Sequence, residues 1–122
     1  LIESAYNGKY LIFKFLDTKE DVVRYRIMDN TGKLSKGLTR PLDKYELKKL
    51  LLAGNNNIGL SAISQKGFID IYDVKDKVVR HNVLFIGNDG KKKWTYKSKN
   101  TGKHKTANLL QTDKNRILLM ET

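Results

Sequence analysis

Three turns built on one chemistry divide this chain. They are Asp29-Asn30-Thr31-Gly32-Lys33, Asn88-Asp89-Gly90-Lys91 and Asn100-Thr101-Gly102-Lys103. Asn accepts a local hydrogen bond where the turn starts, and Gly takes the left-handed position after a type I turn. A chain punctuated in this way doubles back repeatedly, which predicts an antiparallel meander. The residues flanking the three turns do not match, so the turns read as recurrent chemistry and not as an internal repeat. The lysine after each glycine lacks the spacing and the Ser/Thr of a phosphate loop.

The segments between turns have strand character. Residues 1–8 read as a lead-in ending in the Asn7-Gly8 turn. Lys9–Leu16 holds Tyr10, Leu11, Ile12, Phe13, Phe15 and Leu16 around one polar residue, Lys14, and predicts a mostly buried strand. Val22–Met28 alternates, with Val23, Tyr25 and Ile27 on one face and Arg24 and Arg26 on the other. That predicts a half-buried strand with a basic outer face, paired with the strand before it. Leu34–Arg40, interrupted by Gly37, fits a short edge strand. Ile58–Ser64 and Phe68–Tyr72 predict two more strands, joined by Gln65-Lys66-Gly67, and Asp73–Asp76 predicts a turn. Lys77–Ile86 is apolar on both faces, as a central strand would be. Ala107–Leu110 is a short apolar piece, and Ile117–Met120 follows the turn Asp113-Lys114-Asn115 as a closing strand.

One helix is signposted over Lys44–Ala53. Asp43 is the N-cap, and Glu46 three residues on completes a capping box. Leu42 and Leu47 stand where a hydrophobic staple would be. Leu47, Leu50 and Leu51 form the apolar stripe, with Lys44, Lys48 and Lys49 turned outward and Gly54 at the end. The expected fold is therefore α+β. A single domain over residues 1–122 carries one mainly antiparallel, curved sheet of about six to eight strands, open or closed into a small barrel, with one short helix packed on it.

Charge narrows the function. Lys and Arg number 24 against 13 acids, for a net charge of +11. Such a field attracts nucleic acid or an acidic protein. A membrane partner is not expected, because no basic amphipathic helix of useful length is present. No cysteine occurs, which removes disulfides, thiolate metal sites and a cysteine nucleophile together. With no signal-peptide segment either, the expected location is cytoplasmic. No cofactor fingerprint is present.

The charge concentrates between Gly90 and Asn108, where seven lysines occur and no acid. The only tryptophan lies in that run. In the strand Trp94–Lys99, Trp94, Tyr96 and Ser98 share one face, while Thr95, Lys97 and Lys99 share the other. Aromatics facing the core would leave the lysines as a phosphate-binding stripe. Aromatics facing out would make stacking platforms flanked by cations. The candidate nucleic-acid contacts are Arg24, Arg26, Lys91, Lys92, Lys93, Trp94, Tyr96, Lys97, Lys99, Lys103 and Lys105. Arg24 and Arg26, two apart on one face, suit phosphate or base-edge contacts, or cross-strand pairing with carboxylates. The leading expectation is a non-catalytic module binding DNA or RNA through this hairpin. The alternative is an interaction domain docking on an acidic protein.

A second alternative is enzymatic. Asp70 followed by Asp73-Val74-Lys75 at the end of an apolar strand resembles the core of the PD-(D/E)XK nuclease pattern. The resemblance implies two carboxylates holding Mg²⁺ and a lysine positioning water. It also implies an earlier acidic ligand, for which Asp43 and Asp29 are the options. His81 and His104 are isolated and add no zinc site.

Overall fold

The computed structural model describes residues 2–52, 62–75, 77–97, 107–113 and 116–121. Hairpin follows hairpin through the first forty residues. β1 (Ile2–Tyr6), β2 (Leu11–Asp17), β3 (Val22–Met28) and β4 (Leu38–Pro41) pair in chain order as one four-stranded antiparallel sheet. After the helix α1 (Lys44–Leu52), the pattern recurs. β5 (Ala62–Ser64), β6 (Gly67–Lys75), β7 (Val79–Gly87) and β8 (Lys92–Lys97) form a second antiparallel sheet, again in chain order. β9 (Ala107–Asp113) and β10 (Arg116–Glu121) pair with each other in a separate hairpin.

Among the described residues the protein is thus mostly antiparallel β with one short helix. The expected single sheet is corrected to two open ones, and neither closes into a barrel. Part of the reason is local. β4 ends at Pro41, whose missing N–H cannot extend a ladder, and the chain turns into α1 instead. β10 joins β9 and does not close a larger sheet. The expected lead-in is strand β1, which folds onto β2 from Ile2↔Phe15 to Tyr6↔Leu11. The expected turn at Asp73–Asp76 is also corrected, because β6 runs on to Lys75 with Asp73 directly opposite His81.

Two of the three glycine turns are described, and their hydrogen bonds coincide. Asp29 N–H donates to Lys33 O and Gly32 N–H to Asp29 O; Gly87 N–H donates to Lys91 O and Gly90 N–H to Gly87 O. Gly32 and Gly90 take φ of 86° and 81°, the left-handed position that glycine occupies without strain. The third turn lies outside the described residues. An internal repeat, not expected from the turn flanks, is present in the architecture: one four-stranded meander is used twice. A residue pattern repeats with it. Asp17-x-Lys19-x-x-Val22-Val23-Arg24 recurs as Asp73-x-Lys75-x-x-Val78-Val79-Arg80.

The two sheets share one apolar core. Ile12, Leu16, Val23, Tyr25 and Ile27 come from the first sheet and Phe68, Leu84 and Ile86 from the second, with Leu42 from the approach to α1. Burying each large apolar side chain contributes about 1.5–3 kcal/mol. Ile69, His81 and Val83 point the other way from β6 and β7, yet they too are buried. β7 is therefore central, between β6 and β8 and covered on both faces, as its composition predicts.

Lys14 departs from expectation. β2 alternates strictly, so Lys14 falls on the inner face with Ile12 and Leu16, while Phe13 and Phe15 take the half-buried outer face. Its ammonium meets Asp70 of β6 at 2.8 Å, with both residues enclosed. Asp70 also accepts the Tyr25 hydroxyl. Arg40 Nε donates to that same hydroxyl at 2.8 Å. Its two terminal nitrogens meet the Glu46 carboxylate at 2.8 and 2.7 Å, and its plane lies 3.5 Å from the Tyr72 ring centre. Burial opposes the Arg40 charge, but the Glu46 carboxylate, with Tyr25 and Asp70, more than offsets it and keeps the guanidinium firmly protonated. Burial, followed by the Asp70 charge, pushes the Tyr25 phenol well above its ordinary 10.0.

The same network explains one of two corrections in α1. Asp43 caps the helix, accepting Tyr45 N–H at 3.0 Å. Glu46 does not complete the capping box, because Arg40 takes both of its oxygens. Leu42 enters the core and Leu47 packs against it, but Leu51 is 63% exposed, so the stripe does not continue to the helix end.

Asp70→Ala is expected to cost about 3–5 kcal/mol, because it strips an acceptor from Lys14, Tyr25 and Arg40 inside the core. Lys14→Met should cost less, since Asp70 keeps two donors; urea midpoints of the two variants compare them. Tyr25 is neutral in the folded state and its phenol is raised, so its contribution is intact below pH 10.0 and lost as pH rises beyond that value. Alkaline unfolding should therefore be blunted in Tyr25→Phe, measured by circular dichroism against pH. Gly67 sits at φ 154°, and a Cβ there would lie 2.1 Å from Ile86 O. Gly67→Ala should destabilise by at least about 2–3 kcal/mol, read as a lowered thermal midpoint.

Candidate nucleic-acid interface

β8 is an edge strand whose position is fixed by the turn that precedes it. Asn88 holds that turn from two sides: its Oδ1 accepts Asn7 Nδ2 at 2.9 Å, and its Nδ2 donates to Gln65 O at 2.8 Å. Gly90 abuts Ser35, whose Oγ would stand 2.5 Å from any added Cβ. Asp89 Oδ1 accepts Lys91 N–H at 3.0 Å. The hairpin is thereby tied to both sheets.

Pairing with β7 then orients the side chains. Trp94 lies opposite Phe85, Tyr96 opposite Val83 and Lys97 opposite Asn82. Trp94 stacks on Phe85 with centroids 5.5 Å apart and planes 11° from parallel. Neither aromatic of β8 is a core residue, for Trp94 is 44% exposed and Tyr96 46%. Every residue from Lys91 to Lys97 is exposed. The result is a ledge of two half-open rings, backed by Phe85 and bordered by cations.

The lysines do not all stand alike. Lys91, Lys92 and Lys97 have no ion pair among the described residues. Lys93 meets Asp89 at 2.7 Å, and that contact holds the Asp89 carboxyl below the usual range. Lys99, Lys103 and Lys105 lie outside the described residues.

The two arginines belong to the outer face of the first sheet, opposite Phe15 and Phe13. Arg24 pairs with Asp17 at 3.3 Å. The Asp17 carboxyl is lowered first by the Glu20 backbone N–H, with Arg24 adding to it. Arg26 donates to Ser35 O at 3.0 Å, so it reaches the base of the β8 turn through Ser35, while Arg24 stays with its own hairpin.

The nuclease-like residues diverge. Asp70 faces inward to Lys14, Tyr25 and Arg40. Asp73, three residues on, faces the other side of β6 and meets His81 Nδ1 at 2.6 Å. Lys75 N–H bonds the Asp43 cap at 3.2 Å, and its ammonium stands over Tyr45. Among the described residues, no three acidic or histidine side chains gather as a metal ion would need. The arrangement does not fit a shared Mg²⁺. Among the described residues, no helix is long and apolar enough to cross a membrane.

The buried charges are what reading by strand pattern misses, although a signal exists. Lys14 is the only polar residue in its apolar run, and Asp70 the only acid within Phe68-Ile69-Asp70-Ile71-Tyr72. Lone opposite charges in two buried strands predict a pair between them, because neither is tolerated alone.

Neither the curated proteins nor the solved structures contain a match to the chain. The family of unknown function designated DUF6770 matches it over residues 1–122, and the chain belongs to that family.

Proposed function

We propose that the protein is a non-catalytic module that binds single-stranded nucleic acid along β8. The observation that carries the reading is the exposure of Trp94 and Tyr96 on one face of an edge strand bordered by Lys91, Lys92 and Lys97. Bases stack on such rings for about 1–3 kcal/mol each, whatever their sequence. The lysines supply phosphate contacts, and the net charge of +11 steers the polyanion to the surface. Arg26 stands at the foot of the same turn and would extend the phosphate path. An acidic protein is the second reading, because an edge strand can also pair with an extended peptide.

A fluorescence titration of oligo-dT and oligo-U against salt tests the reading. Affinity should fall as salt rises, by about 0.7 log units per tenfold salt for each phosphate contacted. Lys91→Gln, Lys92→Gln and Lys97→Gln together should flatten that slope. Trp94→Ala should weaken binding by about 1–3 kcal/mol and leave the slope unchanged. Undetectable binding of both oligomers at low salt would discard the proposal. Retention on an acidic peptide with no oligomer binding would favour the second reading.

A further inference from the structure

We infer that the cleft between the start of α1 and the far ends of β6, β7 and β8 is a binding site for a nucleoside monophosphate. Its volume is about 640 Å³, inside the range of roughly 300–1,000 Å³ that small-molecule sites occupy. Three lysines from three different elements line it: Lys44 from α1, Lys75 from β6 and Lys97 from β8. The one carboxylate in the lining, Asp43, is already engaged by the backbone N–H groups of Tyr45 and Lys75. The cleft therefore presents net positive charge to whatever enters.

Two tyrosines make its walls flat. Arg40 covers one face of Tyr72, 3.5 Å from the ring centre, and so holds the ring in place. Tyr45 has the Lys75 ammonium 5.6 Å above its ring centre. Asn82 adds a specific demand. The residue is only 8% exposed, and its Oδ1 is enclosed with no hydrogen-bond partner among the described residues. Buried polar atoms in folded proteins nearly always find a partner, so an enclosed orphan in the lining of a cleft marks where a ligand atom is wanted. Asn82 lies directly opposite Lys97, which puts the amide and an ammonium along one wall.

Each feature selects a ligand property. The lysines select an anionic group, the tyrosines a flat ring, and the Asn82 oxygen an N–H on that ring's edge. A purine nucleotide with an exocyclic amine combines all three. The cleft shares only Lys97 with the ledge of Trp94 and Tyr96, whose rings stand on the opposite face of β8.

Heteronuclear NMR titration of the full chain tests the site. Adenosine 5′-monophosphate, adenosine and inorganic phosphate serve as separate probes. The monophosphate should bind saturably and more tightly than either fragment, with shifts centred on Tyr45, Tyr72 and Asn82. Asn82→Leu should weaken it about tenfold, and Trp94→Ala should leave it unchanged. Should Asn82→Leu fail to fold, Lys75→Glu, at an exposed position, should show the same loss. Equal binding of phosphate alone would overturn the proposal, as would no saturation at millimolar nucleotide or a loss as large in Trp94→Ala as in Asn82→Leu. Oligonucleotide binding lost in Trp94→Ala while the monophosphate still binds would separate this site from the β8 ledge.

Discussion

A buried chain of charges holds the two sheets in one relation. Lys14 comes from β2, Asp70 from β6, Tyr25 from β3, Arg40 from β4 and Glu46 from α1. Five described elements contribute a member, while β1 and β7 border the core without one. Apolar packing around it supplies most of the stabilisation but is far less directional. An enclosed charge displaced from its partner is far costlier than a displaced methyl group. The network therefore sets which face of each sheet meets the other and where the helix lies.

That constraint reaches the surface. With Arg40 bound to Glu46, α1 begins beside β6, and Lys97 of β8 joins the lining of the cleft between them. With the Asn88 turn tied to Asn7 and Gln65, β8 leaves β7 along a fixed line. The exposed rings and lysines are thus carried on a paired strand rather than on a loop. Preorganisation of this kind lowers the entropy lost on binding.

Much of the local structure was legible in the residues. The Val22–Met28 strand, the Asp43 cap and both described glycine turns follow from alternation, capping chemistry and left-handed glycine. Legibility ended where tertiary partners decide. Nothing local says that Glu46 will serve Arg40 rather than its own helix start. Strand content alone does not reveal that the meander splits at Pro41 into two sheets. The exposure of Trp94 depended on β8 being an edge strand, and strand order is not encoded in periodicity. Asn82 could not be singled out at all, because an amide oxygen enclosed without a partner among the described residues is visible only in three dimensions.

Among the described residues, the duplicated meander leaves β8 with one side of its backbone unpaired, which in most sheets invites another chain to add itself. The cations along that margin repel an identical margin on a second molecule. Self-assembly into ribbons is discouraged by the same side chains that would welcome a polyanion, so neutralising them should make the protein both a poorer binder and a stickier one.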